Sequence, residues 1–358
     1  MKPEWKEFLT NRGAEWNEEV VESFGNPERE RRVCVAGDVI ADLSWYGLIE
    51  VHGADAETFM QGQFTNDVRE VSEARSQLSG ICSPKGRLLA NFRIFRRGET
   101  WYLRLPHELV DPTLKRLRMF VLMSKVTLED ASDAFVRIGL SGPKAEEELA
   151  RAGLPEPVGV DDVITTDQVT VVRVAGLHPR FEIYGELEPM KRHWEALDVS
   201  CAPVGTPAWK LLEIFAGLPT IYPETVEAFV PQMVNYPQVG GVSFRKGCYT
   251  GQEVVARMQY LGKLKRRMYR AHVDAERAPR PNDPLVAPGS GSGQGAGRIV
   301  DAQPGPDGGY EVLAVVEIAS RERGEVFLWE ENGPRLQFLE LPYPAPETEQ
   351  REETAGGS

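Results

Sequence analysis

An α+β fold in several domains is what this sequence predicts, and three observations predict it. The chain has 358 residues, more than one ordinary hydrophobic core organises, so two or three domains are expected. Up to about residue 262, helix-like and strand-like stretches alternate. Hairpin turns sit among them, which suits antiparallel layers better than a parallel doubly wound sheet. After Gly262, short strand-like runs recur between Pro/Gly-rich turns, the pattern of a small β-barrel.

The elements follow in order. Residues 1–38 are rich in charge and read as a solvated helical extension. Leu48–Val51 reads as a strand, and Asp55 is placed to cap a short helix through Phe59 and Met60. Leu78–Ser83 and Leu88–Phe95 form a hairpin about the Pro84-Lys85-Gly86 turn. A strand over Trp101–Leu105 leads into a helix of roughly 108–122. Strands are expected near 126–130, 135–140, 169–174 and 181–185, with helices starting near Pro143 and Glu188. Trp209 opens a very apolar helix. Thr250-Gly251-Gln252-Glu253 reads as a capping box, after which Val254, Val255, Met258 and Leu261 recur at helical spacing until Gly262. The last strands are Lys265–Val273, Gly297–Val300, Tyr310–Glu317, Glu325–Leu328 and Leu336–Leu339. The glycine-rich run 289–297 matches no phosphate-loop pattern and reads as a flexible barrel loop. The acidic segment 343–358 reads as a disordered tail.

Composition narrows the function. Asp plus Glu number 54 against 41 Lys plus Arg, a net charge of -13, so a general nucleic-acid binder is disfavoured. Four cysteines, at 34, 82, 201 and 248, form no CxxC pair, and the five histidines are scattered, so no metal site is expected. No apolar run approaches the ~18 residues of a membrane span, and the expectation is a soluble cytoplasmic protein.

Cys248 is the most informative residue. It lies just ahead of a helix start, beside Arg245 and Lys246, with Gly247 and Gly251 to bend the backbone. Helix dipole and cations together favour an anion there, and such surroundings lower a thiol from about 8.5 to between ~3.5 and ~7.5. The alternative is a small buried apolar residue. Cys82, by the Pro84-Lys85-Gly86-Arg87 turn, either approaches Cys248 or packs in a core. Between Arg245 and Arg270 the chain carries eight Lys/Arg against one Glu. That run is either a solvated face or a holder of an anion such as a polyglutamate tail or an RNA backbone.

Three segments, GADAETFMQGQFTNDV (53–68), CSPKGR (82–87) and SFRKGCYTGQE (243–253) with PQMVN before it and VARMQYLGKLKRR after, resemble the YgfZ/IBA57 family. The resemblance spans roughly residues 46–270. Members of that family are folate-binding proteins that support iron–sulfur cluster assembly and are related to the glycine cleavage T-protein. The resemblance implies a T-protein-like, ring-like arrangement about a central channel. It comprises a folate-binding-type α+β domain (39–134 with 203–262), a second, ferredoxin-like α+β domain (135–202) and a C-terminal β-barrel (263–342). It makes Cys248 and Lys246 the functional cysteine and lysine. Tyr46 and Trp209 fall where aromatic rings would stack on a pterin, with Arg245 and Tyr249 as further cofactor-binding candidates, the cofactor being tetrahydrofolate or another reduced folate. Trp209 reads equally well as a core residue.

Two departures qualify this. The T-protein's catalytic aspartate has no counterpart in the 80–88 hairpin, where cations stand instead. The carboxylate expected two residues before a glycine is Phe215 here. Glu213, two positions away, turns about 200° around the helix and reads as a surface residue or a partner of Lys210. The reading is therefore an accessory factor, leaning away from an enzyme. It would assemble or maintain [4Fe–4S] clusters in client enzymes, including radical enzymes of tRNA modification. Its partners would be iron–sulfur client or carrier proteins and a reduced folate, with at most a weak tRNA contact, no membrane, and a monomeric state. The alternatives are a folate-dependent one-carbon transferase or demethylase of the aminomethyltransferase type, and an RNA-binding module.

Overall fold

A computed structural model describes residues 1–290 and 295–344. Five antiparallel strands form one sheet in the order 77–82, 88–97, 100–106, 46–52, 127–130. Alternation along these strands sends Ile49, Val51, Ile81, Phe92, Ile94, Leu103 and Leu105 into a core. The helices Ala56–Gln61 and Val110–Arg118 cover it with Phe59, Met60, Leu114 and Leu117. The second helix is shorter than the expected 108–122. It ends at Arg118, and Leu122 and Met123 beyond it are exposed.

A six-stranded sheet follows the order 163–165, 169–174, 180–185, 136–141, 39–42, 202–204. Its last pair, Ala202–Val204 on Val39–Asp42, is parallel and the rest are antiparallel. Val39 pairs with Ser141, so strand Val39–Asp42 lies in this sheet and not in the five-stranded one. The short length of Val39–Asp42 hid its partner, since pairing partners are not written in a strand's own pattern.

The N-terminal residues are not a solvated extension. Helix Pro3–Thr10 buries Trp5 and Leu9, one helical turn apart, against Trp194 of helix Leu187–Leu197, and Trp5 Nε1 donates to Asp42 at 2.8 Å. A small hairpin (Glu15–Asn17 with Val20–Ser23) and helix Pro27–Ala36 complete the segment. Most of the charges of helix Pro3–Thr10 lie away from its narrow apolar stripe, whereas Glu30 of the next helix is buried and accepts from the Gly205 N–H at 2.8 Å.

Helix Thr206–Phe215 is buried on nearly every side, with Trp209, Leu211, Leu212, Glu213 and Ile214 all inside. The C-terminal strands make one antiparallel sheet in the order 327–328, 284–286, 297–304, 310–317, 266–273, 337–339. Its two ends approach each other through the antiparallel bridge Phe327–Arg335, with Leu336 N–H donating to the Val326 carbonyl at 2.9 Å, so the sheet curls into a half-barrel over its own core. The glycine-rich loop lies in part, and the tail from residue 345 wholly, outside the described residues. Tyr343, expected in the tail, is tied down, its hydroxyl donating to the Gly217 carbonyl at 2.8 Å.

Candidate functional site: the Cys248 loop and the sheet junction

The three segments singled out in the sequence meet around one loop. Residues 240–246 lie along Gln61–Asn66. Ser243 N–H donates to the Thr65 carbonyl at 3.0 Å, Thr65 Oγ1 to the Gly241 carbonyl at 2.8 Å, and Asn66 Nδ2 to the Gly240 carbonyl at 2.7 Å. On the other side Gly251, at φ +84°, packs onto the hairpin turn, where a Cβ would overlap the Ser83 carbonyl oxygen and crowd Gly86 and Cys82. Glycine is therefore required at 251 by both conformation and space. Gly247 has neither constraint.

Helix Gln252–Tyr260 begins directly after, with Gly251 as its N-cap and no side-chain cap. The expected capping box is thus absent. The left-handed turn at Gly251 moves the helix start one residue beyond Thr250 and takes its hydroxyl out of capping position. Within the helix, Val255 is buried, whereas Tyr260 and Leu261 are exposed.

Cys248 is exposed on this loop, and the other three cysteines are buried. Burial pushes the thiols of Cys34, Cys82 and Cys201 up to about 12, which removes them from thiolate chemistry near neutral pH. Lys246 turns inward. Its Nζ donates to the carbonyls of Gln61 (2.8 Å), Phe64 (2.5 Å) and Asn66 (2.9 Å), while burial draws it down to about 8 against the opposing pull of Asp67. Tyr249 is buried beside it, its ring 5.1 Å from Nζ, and burial raises its phenol. Arg245 is exposed.

The basic run is mostly consumed. Lys246 and Arg267 are buried, and Arg257, Arg266 and Arg270 pair with Glu253, Glu317 and Glu311. Residues 80–88 carry no carboxylate, only Lys85 and Arg87, and Arg87 reaches the carbonyls of Glu227 and Ala228.

Tyr46 and Trp209 lie elsewhere, at the junction of the five-stranded sheet and the six-stranded sheet that holds 180–185. Tyr46 is covered by Arg104 at 3.8 Å and by Trp45, and its hydroxyl donates to Glu213 Oε1 at 2.8 Å. Trp209 is fully buried, with Arg180 at 4.2 Å over its ring and Gly139 against its edge. Glu213 is no surface residue. Arg180 also bonds its Oε1, at 2.7 Å, and Lys210 lies instead against Trp45 and Tyr222. The helix phase carried that signal, since Glu213 follows Trp209 by four residues and shares its buried face. Burial works to raise the Glu213 carboxyl, but Arg180, Arg104 and the Tyr46 hydroxyl outweigh it and hold it below its ordinary value. Arg104 pairs with Glu182 at 3.1 Å, and Arg93 with Asp161.

The cavity lined by Tyr46, Arg93, Arg104 and Glu213 holds about 30 Å³, whereas ligand pockets usually span ~300 Å³ or more. Neither ring presents a free face to a pterin there. Phe215 is covered on one face by Arg270 at 4.3 Å. On the outer sheet face, Glu50, His52 and Glu129 bring possible ligand atoms within 4.8 Å of one another.

Comparison with known proteins agrees with this architecture. The GCVT N-terminal domain family matches residues 7–235. The tRNA-modifying protein YgfZ of Klebsiella pneumoniae strain 342 is 31% identical over 303 residues, covering 84% of this chain and 91% of that protein. Its namesake from Enterobacter sp. strain 638 is 32% identical over 308 residues, covering 85% and 93%. The glycine cleavage aminomethyltransferase T of Bartonella henselae superposes with a TM-score of 0.75 at 18% identity, over 94% of this chain and 96% of that one, a likeness of fold. With that much of its length shared, this chain belongs to the YgfZ family of GCVT-domain proteins.

Proposed function

We propose that this protein is an accessory factor that assembles or maintains [4Fe–4S] clusters in client enzymes, among them radical enzymes of tRNA modification. Cys248 is its working thiol. The observation that carries the reading is the setting of that residue: the one exposed cysteine of four, on a loop walled by three separate segments. The naming of its relatives as tRNA-modifying proteins supports the same direction. The protein acts on client or carrier proteins, as a cytoplasmic monomer. Its link to tRNA runs through those clients, because five of the eight cations in the basic run are buried or paired.

The T-protein-like fold supports a reduced folate as cofactor in a central channel. Tyr46 and Trp209 do not fit a stacked pterin, both being covered by protein, so no step of this reading passes through a folate. One-carbon transfer of the aminomethyltransferase type is disfavoured by a hairpin without an acid.

The test is the activity of a [4Fe–4S] tRNA methylthiolation enzyme in cells lacking this protein, supplied with wild type or Cys248→Ser at equal abundance. Wild type is expected to restore activity and Cys248→Ser to fail. Restoration by both sinks the thiol role, and restoration by neither sinks the assembly role.

A further inference from the structure

The loop from Ser243 to Gly251 has no regular secondary structure, yet it presents the exposed thiol from a fixed place. Its ends are held, by Thr65 and Asn66 at 240–243 and by the hairpin turn at Gly251. Between them one long side chain of the loop reaches Gln61–Asn66 by hydrogen bonds. That side chain is Lys246, and its ammonium meets three main-chain carbonyls within 2.9 Å.

We propose that Lys246 is a positioning residue, a clamp that fixes the loop on the Gln61–Asn66 segment and so sets where the Cys248 thiol stands. The match is one of number and shape. A lysine ammonium has three N–H donors and no acceptor, and each finds one carbonyl. Gln61 is the last residue of its helix, so its carbonyl has no partner within the helix and lies at the negative end of the dipole. An arginine cannot substitute, because its planar fork spreads donors that here must converge on one point. With Nζ engaged inside the protein, Lys246 does not act on a substrate. Its influence on chemistry passes through the two-residue step to Cys248.

The inference rests on the preceding reading only for why that thiol matters, and its test does not use a client. Hydrogen exchange would be followed in wild type, Lys246→Met and Lys246→Arg. A nitroxide on Cys248 would report loop mobility, since the other three cysteines are buried. Lys246→Met is expected to speed exchange at 243–251 and 61–66 by about tenfold or more, with the sheets unchanged, and to shift the nitroxide toward fast motion. Lys246→Arg is expected to recover little of this.

Wild-type exchange and label spectra in Lys246→Met overturn the proposal. So does loss of protection spread evenly over the domain, which is the mark of a residue needed only for folding. Should Lys246→Met fail to fold, reductive methylation of the wild type decides. Lys246 is expected to label at least about tenfold more slowly than exposed Lys85 and Lys265, since its amine reacts only on local opening, and equal rates overturn the clamp. A loosened loop together with client rescue by Cys248→Ser would leave the clamp standing and remove the thiol role of the preceding reading.

Discussion

Two glycines flank Cys248, and they differ in what the fold asks of them. At Gly251 the backbone is left-handed and a Cβ overlaps the Ser83 carbonyl, so Gly251→Ala combines strain with a clash against main chain. A loss of about 2–3 kcal/mol is expected in denaturant unfolding. Gly247 has open space, and Gly247→Ala is expected to stay within ~0.5 kcal/mol. Equal costs would mean that the turn at Gly251 does not hold the loop. The cysteines divide in the same manner. With three of four buried, the native chain is expected to take up one equivalent of a thiol reagent quickly and four only when denatured. Rapid uptake of a second equivalent would show that burial does not protect Cys34, Cys82 or Cys201.

Elements differ in how openly the sequence declares them. The 77–97 hairpin is legible because a Pro-Lys-Gly turn separates two runs of strand formers, and turn chemistry is local. The helix after Cys248 is legible in its spacing but not in its start. Its capping box needs Thr250 at the N-cap, and tertiary contact with the hairpin puts Gly251 there instead. Thr250→Ala is therefore expected to cost well under the ~1 kcal/mol of a true N-cap, as read by thermal unfolding. Asn26→Ala, which removes an Oδ1 that accepts the Arg29 N–H at 3.0 Å, should cost that amount. The burial of the N-terminal helix is illegible because Trp5 and Leu9 stand in a charged stretch. What makes them core is Trp194, nearly two hundred residues on. Trp5→Ala is expected to cost about 3 kcal/mol, and a change within ~0.5 kcal/mol would restore the view of that helix as a solvated extension.

Across the whole molecule, the interior of the sheet junction is ionic where a core is ordinarily apolar. Tyr46 and Arg104 come from the five-stranded sheet, Arg180 and Glu182 from strand 180–185 of the first six-stranded sheet, and Glu213 from helix Thr206–Phe215. Helix phase puts Glu213 on the buried face of Trp209, but its pairing with Arg180 and Tyr46 from two other elements is invisible in a sequence. Removing one partner strands the others without solvent, so Glu213→Gln is expected to destabilise by about 3 kcal/mol near pH 7. The sign of its pH dependence follows from the direction of the shift. Glu213 ionises more readily in the folded chain than in the unfolded one, so its contribution is present above the ordinary glutamate range near ~4.3. That contribution is lost as pH falls through the lower folded value. The gap in stability between wild type and Glu213→Gln should accordingly be widest at neutral pH and close under acid, in parallel urea titrations at several pH values. A gap that stays constant with pH would mean that Glu213 is held by shape alone and that its charge does not join the two sheets.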